Sequence, residues 1–189
     1  MTAATSQVTS ALEHLQLRDP KWGVLGCSGI TREGSLHGHI YSSGVGIIGN
    51  PSEPVPVQTL DEIVLIIRKS SGLRFDIELP HFHFYGADIC LRAASLGLKS
   101  YAISAFCIHN THQSLILPKE FYECCEHTRR VWKDALPIQT TCTRITRFNA
   151  HVRLRRLREI YLRYIRHKEV GGRRLDDVRR ILEEVSGRV

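Results

Sequence analysis

The spacing of apolar positions changes several times along the chain, and each change marks an element. Ser10 to Leu17, SALEHLQL, reads as a short helix capped by Ser10 and ending before Asp19-Pro20. Trp22 to Leu25 reads as a short strand that runs into a turn at Gly26, Ser28 and Gly29. Residues 31–56 are rich in Gly, Ser and Pro, which predicts a loop with short β pieces around Gly38-His39-Ile40 and Val45 to Ile48. Loops of this length in a compact domain are usually binding loops or lids. Glu62 to Lys69 carries the continuous apolar run of a strand buried on both faces, and Ser70-Ser71-Gly72 turns the chain.

The next stretch, FDIELPHFHFYGADICLRAASLGLKSYAISAFCIHNTH from Phe75 to His112, organises the rest. It begins as an extended, alternating segment and passes through Gly86 into a helix with Asp88 on its first turn. It stops at Gly97 and resumes as a strand ending at His109. Pro118 suits the first turn of a further helix through Trp132 to Ala135, with Phe121, Val131 and Trp132 as packing residues, and Pro137 ends it. The tail reads as two amphipathic helices joined at Gly171-Gly172. Leu154, Leu157, Tyr161 and Ile165 form one stripe, and Leu175, Val178, Leu182 and Val185 form the other.

Charge separates this tail from the rest. Residues 147–189 hold 13 Arg and Lys against 6 Asp and Glu, a net +7, while the preceding residues hold 13 of each. The bland use of such a tail is a solvated basic face; the functional use is contact with an anionic membrane surface or an acidic protein partner. Nucleic acid is disfavoured, since no aromatic-interleaved base-reading motif accompanies the charge. The 189 residues suffice for one core plus an appendage, and 42% hydrophobic with 24% charged residues is ordinary for a globular protein. The N-terminus carries no signal-peptide pattern, and the longest central apolar run, Ile63 to Ile67, is too short to cross a bilayer. A cytoplasmic protein, peripheral at a membrane through its tail, is the expectation. The six cysteines contain no Cys-x-x-Cys pair and read as reduced, structural thiols.

Two constellations carry chemistry. Asp88 lies where helix backbone dipoles favour a carboxylate, and His109 lies where a buried strand emerges, the edge at which open α/β sheets bind ligands. On a strand, His81 and His83 would share one face, and with His109 they would make a three-histidine zinc site of hydrolytic type.

The order FDIELPHFHFYGAD, then ICLRAASLGLKS, then a strand closed by Ile108-His109 resembles the C-terminal half of family 2-like GT-A glycosyltransferases of the streptomycin-biosynthesis type. Flanking residues agree: Trp22 to Gly26 with Gly29, Leu60-Asp61 with Leu65, Ile67, Arg68 and Lys69, then Arg130, Trp132-Lys133 and Leu136-Pro137-Ile138. The resemblance covers residues 10–146. It implies a partial GT-A-like mixed α/β sheet over residues 1–146, followed by a basic helical hairpin over 147–189.

The resemblance further implies inverting transfer of a sugar from a nucleoside-diphosphate donor to a hydroxyl acceptor. Asp88 would be the catalytic base, His109 a ligand to a divalent cation (manganese or magnesium), and Trp22, Asp76, Glu78, Tyr85 and Arg92 substrate-binding residues. Arg92, one turn after Asp88, would pair with it. The chain departs from the family in two respects: Gly86 and Ala87 precede Asp88 where the family usually places another acid, and the chain contains no Asp-x-Asp motif. The expectation is therefore an acceptor half lacking its donor half, with a non-catalytic sugar-binding or assembly remnant as the alternative.

Overall fold

A computed structural model describes residues 3–42, 46–49, 51–110, 117–164 and 178–186. The chain opens with α1 (Ala3–Arg18), then β1 (Trp22–Gly26), β2 (Ser28–Ile30), β3 (Leu36–Gly38), β4 (Ile40–Ser42), β5 (Gly46–Ile48), β6 (Val55–Val57), β7 (Thr59–Leu60) and β8 (Leu65–Ile67). After α2 (Tyr85–Ser95) come β9 (Lys99–Ala102), β10 (Cys107–His109), α3 (Lys119–Val131), β11 (Ile138–Gln139), β12 (Arg144–Ile145), α4 (Ala150–Tyr164) and α5 (Arg179–Ser186). This is a mixed α/β fold. Nothing in it is specific to a GT-A domain: the strands divide among small sheets ordered β6-β9-β1-β8, β10-β4-β5, β3-β2-β7 and β11-β12.

The central unit is β1-α2-β9. β9 runs parallel to β1, with Leu25 opposite Tyr101, and α2 supplies the crossover on the way. β8 adds antiparallel on the other side of β1, with Val24 opposite Ile67. α2 is buried nearly all round, because it lies between two cores. Ile89, Cys90 and Ala93 pack with Val24, Leu60, Leu73 and Ala102; Ala87 and Leu91 pack with Phe121, Tyr122, Cys125, Ile138 and Val152. Ile89 has no exposed surface, so its side chain alone contributes about 2–3 kcal/mol of apolar burial. A third core joins Leu15 of α1 to Trp22, Leu25, Tyr101 and Ile103.

Several expectations are corrected. The buried strand over Glu62 to Lys69 shrinks to Leu65–Ile67, and all three residues are only half-buried because β8 is the edge of its sheet. The alternating segment from Phe75 is not a strand but a run of turns and bends up to Phe84. The strand expected to end at His109 is two strands in different sheets: β9 pairs with β1, while β10 pairs parallel with β4, His109 opposite Ser42. The expected turn at Gly26 to Gly29 is a bend at Cys27 between β1 and β2.

In the tail α4 and a short α5 are present, with Val178 just before α5, while Ile165, the Gly171-Gly172 joint and Leu175 lie outside the described residues. The expected stripe of α4 faces outward: Leu154, Leu157 and Tyr161 are 68%, 64% and 46% exposed. Among the described residues of α4, Val152 and Glu159 are buried. Glu159 accepts hydrogen bonds from the Tyr122 hydroxyl, the Leu117 N–H and Arg155 Nε, so a carboxylate, not the leucines, docks this helix. Among the described residues no helix is long and apolar enough to cross a membrane.

Candidate functional site

The segment from Phe75 to Phe84 is shaped by side chain to backbone bonding. Asp76 Oδ1 accepts the Glu78 N–H at 3.1 Å, an Asx turn that offers the backbone an alternative to a sheet ladder. Pro80 then removes a donor from any strand. Phe84 adopts φ 63°, and α2 begins directly after it with no side-chain cap of its own. The cap comes from elsewhere in the chain: Glu62 Oε1 accepts the Gly86 N–H at 3.3 Å, and Tyr85 donates its hydroxyl to the Glu62 carbonyl at 3.1 Å. A Cβ at position 86 would lie 2.6 Å from the Leu60 carbonyl oxygen, so only glycine fits there. Burial, with a smaller contribution from the neighbouring Asp61 charge, raises the Glu62 carboxyl to about 7.

Behind the segment runs a chain of charges. Asp88 is buried; its Oδ2 accepts Arg92 Nε at 2.6 Å and its Oδ1 accepts the Trp132 indole N–H at 2.8 Å. Arg92 reaches on to Asp76 Oδ2 at 3.0 Å, and His127 Nε2 meets the same oxygen at 3.1 Å. Burial works to raise the Asp76 carboxyl. The His127 hydrogen bond, the Glu78 N–H and the Arg92 charge outweigh it and hold the carboxyl below its ordinary value. The network ties the turn segment to α2 and α3 at once.

In front of that network lies a cleft of ≈ 810 Å³, lined among others by Phe75, Asp76, Phe82, His83, Tyr85 and Glu120. Tyr85 stands between two rings edge to face, Phe75 at 5.8 Å and 80° and Phe82 at 6.0 Å and 84°. Phe82 is 90% exposed, an unusual position for a phenylalanine held in an ordered segment. His83 packs edge-on against Phe121, and burial lowers its pKa and favours the neutral ring. His81 bonds Glu123 Oε2 at 2.7 Å.

Of the residues singled out from sequence, Asp76 and Tyr85 line the cleft, and Arg92 and Asp88 stand behind it, paired as their spacing predicts. Three others are elsewhere. Trp22 is core, with the Arg68 guanidinium 5.5 Å over its ring. Glu78 is exposed and outside the cleft lining, and His109 sits in the β10-β4-β5 sheet. Sequence reasoning missed Glu62, whose cap is set by a contact across 24 residues, and His127, which meets Asp76 across 51. No local signal marks either. Trp132 was read only as a packing residue, though a buried indole generally needs an acceptor for its N–H.

His81, His83 and His109 do not gather. Among the described residues no group of three or more His, Cys, Asp or Glu is arranged to hold a metal ion, so the three-histidine zinc site of the hydrolase alternative does not form. No protein-family model matches the chain. A curated protein of Fuscovulum blasticum named "ATP synthase subunits region ORF 6" is 34% identical over 113 residues, covering 54% of this chain and 43% of that protein. The matched stretch thus spans less than half the relative's length. The comparison overturns the resemblance to glycosyltransferases. The relative's name concerns ATP synthase subunits, and with it fall inverting sugar transfer, the nucleotide-sugar donor, the hydroxyl acceptor and the anionic-surface partner of the tail. The base role of Asp88 falls with the reaction it served, and both its carboxylate oxygens are already engaged.

Proposed function

We propose that this chain is a ligand-binding domain whose aromatic cleft takes a small organic molecule presenting an apolar face and hydrogen-bond donors. One observation carries the reading: three aromatic rings, one of them 90% exposed, are held around an open cleft by a segment tied through Asp76 to a partly buried charge network. The cleft volume of ≈ 810 Å³ lies in the range typical of small-molecule sites. Its polar groups are mainly acceptors, namely the Glu120 carboxylate, the remaining capacity of Asp76 and the neutral His83 ring. Ring faces and carboxylates together favour neutral or cationic donors over anions. The buried groups behind the cleft have their partners already, which suits a scaffold better than a reaction centre.

A ligand-observed NMR screen with matched aromatic amines, alcohols and carboxylates tests this. Amines and alcohols should bind and carboxylates should not, and Phe82→Ala, which removes an exposed ring, should abolish binding without altering the fold. Carboxylates binding as well as amines, or binding indifferent to Phe82→Ala, contradicts the reading.

A second reading takes up the relative's name. The outward stripe of Leu154, Leu157 and Tyr161, with exposed Arg153 and Arg158 beside it, suits an acidic protein partner, and an ATP synthase subunit is the first to test. Purified subunits should bind the chain and lose that binding when Leu154 and Leu157 are both changed to Gln; subunits that ignore the chain dispose of this reading.

A further inference from the structure

Cys27 and Cys107 lie 80 residues apart in the chain, and their sulfurs are 2.9 Å apart. The approach is fixed by backbone. The His39 N–H donates to the Cys27 carbonyl at 2.9 Å, and the Cys107 N–H donates to the His39 carbonyl at 3.3 Å, so one residue clasps both cysteines. The preceding residue, Gly38, has φ +138°, and a Cβ there would lie 2.1 Å from the Cys27 carbonyl oxygen. The other cysteines are placed differently. Cys90 is buried, and Cys124 and Cys125 point apart on α3, one toward the His81 carbonyl and the other toward Asn149 Nδ2. Cys142 is exposed beside Thr141.

We propose that Cys27 and Cys107 are a redox-modification site, closing reversibly into an intramolecular disulfide with a small-molecule disulfide of the glutathione class as oxidant. The two thiols are not equivalent. Cys27 is buried, whereas Cys107, at the start of β10, is half-buried and within reach of a small oxidant. The close contact between the two sulfurs lowers the pKa of Cys107 and raises that of Cys27, which burial raises further; the Asp61 charge opposes ionisation of both.

Cys107 therefore attacks first. Its thiolate forms a bond to one sulfur of the small disulfide, the old S–S bond breaks, and one small thiolate departs. The Cys27 sulfur then attacks Cys107 in the mixed disulfide. The second small thiolate leaves with the Cys27 proton, so the protein loses two electrons and the small disulfide becomes two thiols. The bond joins the end of β1 to β10, two strands of different sheets, and closes a loop across an 80-residue separation. Cross-linking so distant a pair constrains the unfolded chain and raises the melting temperature by about 5–10 °C.

The test equilibrates the full chain in glutathione buffers of graded oxidation, quenches with acid, alkylates under denaturing conditions and maps peptides without reduction. The expected result is one cross-linked pair containing Cys27 and Cys107, the other four cysteines alkylated throughout, and a higher melting temperature in the oxidised chain. Cys107→Ser, at the half-buried position, should lose both the cross-link and the shift. Cys142→Ser should keep both. Alkylation of Cys27 and Cys107 in the most oxidising buffer, a glutathione adduct that never resolves onto Cys27, or a Cys107–Cys142 link each overturns the proposal.

Discussion

Asp88 is the only carboxylate in the first turn of α2, a position commonly given to a capping acid, yet it is spent on one hydrogen bond to Arg92 a turn later and one to the distant Trp132. Its charge holds Arg92, and Arg92 in turn holds Asp76 at the cleft wall. Asp88→Asn leaves that guanidinium half-buried with a single acid, and urea denaturation should show a loss of about 2–4 kcal/mol. Trp132→Phe keeps the packing and removes one hydrogen bond to a charged acceptor, so about 1–2 kcal/mol is expected. Because both changes act on one carboxylate, the double variant should fall short of the sum.

Glu62 acts through pH. Its folded pKa of about 7 lies above its ordinary value of 4.5, so between those values the folded chain binds more protons than the unfolded chain, and stability falls as pH rises through the window. Asp19 works in the opposite sense. Held at about 2, chiefly by hydrogen bonds from Lys99 and Tyr101, it contributes stability that is present above pH 4 and lost as pH falls toward 2. Glu62→Gln should flatten the decline between pH 4.5 and 7 and leave the acid limb unchanged; a decline that survives the substitution argues against this assignment.

At the scale of elements, glycines set both ends of α2. Gly86→Ala drives a Cβ against the Leu60 carbonyl and should cost about 1–3 kcal/mol with the β7 contact disturbed. Gly97 has φ +71° and open space around it, so Gly97→Ala costs only backbone strain, about 1 kcal/mol. Calorimetric melting of the two variants should rank them in that order. The helix and its Gly97 stop were legible because they are local, and the Leu98 N–H to Ala93 carbonyl bond at 2.9 Å closes the helix as a terminal glycine predicts. Segment 75–84 was misread because its apolar alternation mimics a strand, while Asp76 and Pro80 divert the backbone into turns. The outward face of α4 was misread for another reason. Periodicity reveals that a helix has an apolar stripe but not which face docks, and the buried Glu159 decides that through Tyr122. Replacing Leu154 or Leu157 by Gln should therefore change stability by less than about 0.5 kcal/mol, where a core leucine would cost several.

For the molecule as a whole, the mixed α/β character was legible, and the candidate site was legible in part. Asp76, Tyr85, Asp88 and Arg92 do lie in one place, because Tyr85, Asp88 and Arg92 share α2, helix spacing joins Arg92 to Asp88, and Arg92 reaches Asp76. The division into several small sheets was not legible, since pairing of β10 with β4 instead of β9 is a choice among distant partners that local pattern does not encode. What the assembled fold presents is a hydrogen-bonded charged backing and an open aromatic front. The most direct test is the His83 ring-proton NMR signal during titration with benzylamine. A saturable shift in the parent chain, absent in a Phe82→Ala variant that melts at the same temperature, is the expected result. A His83 signal that does not move, or that moves equally with and without the Phe82 ring, contradicts the account.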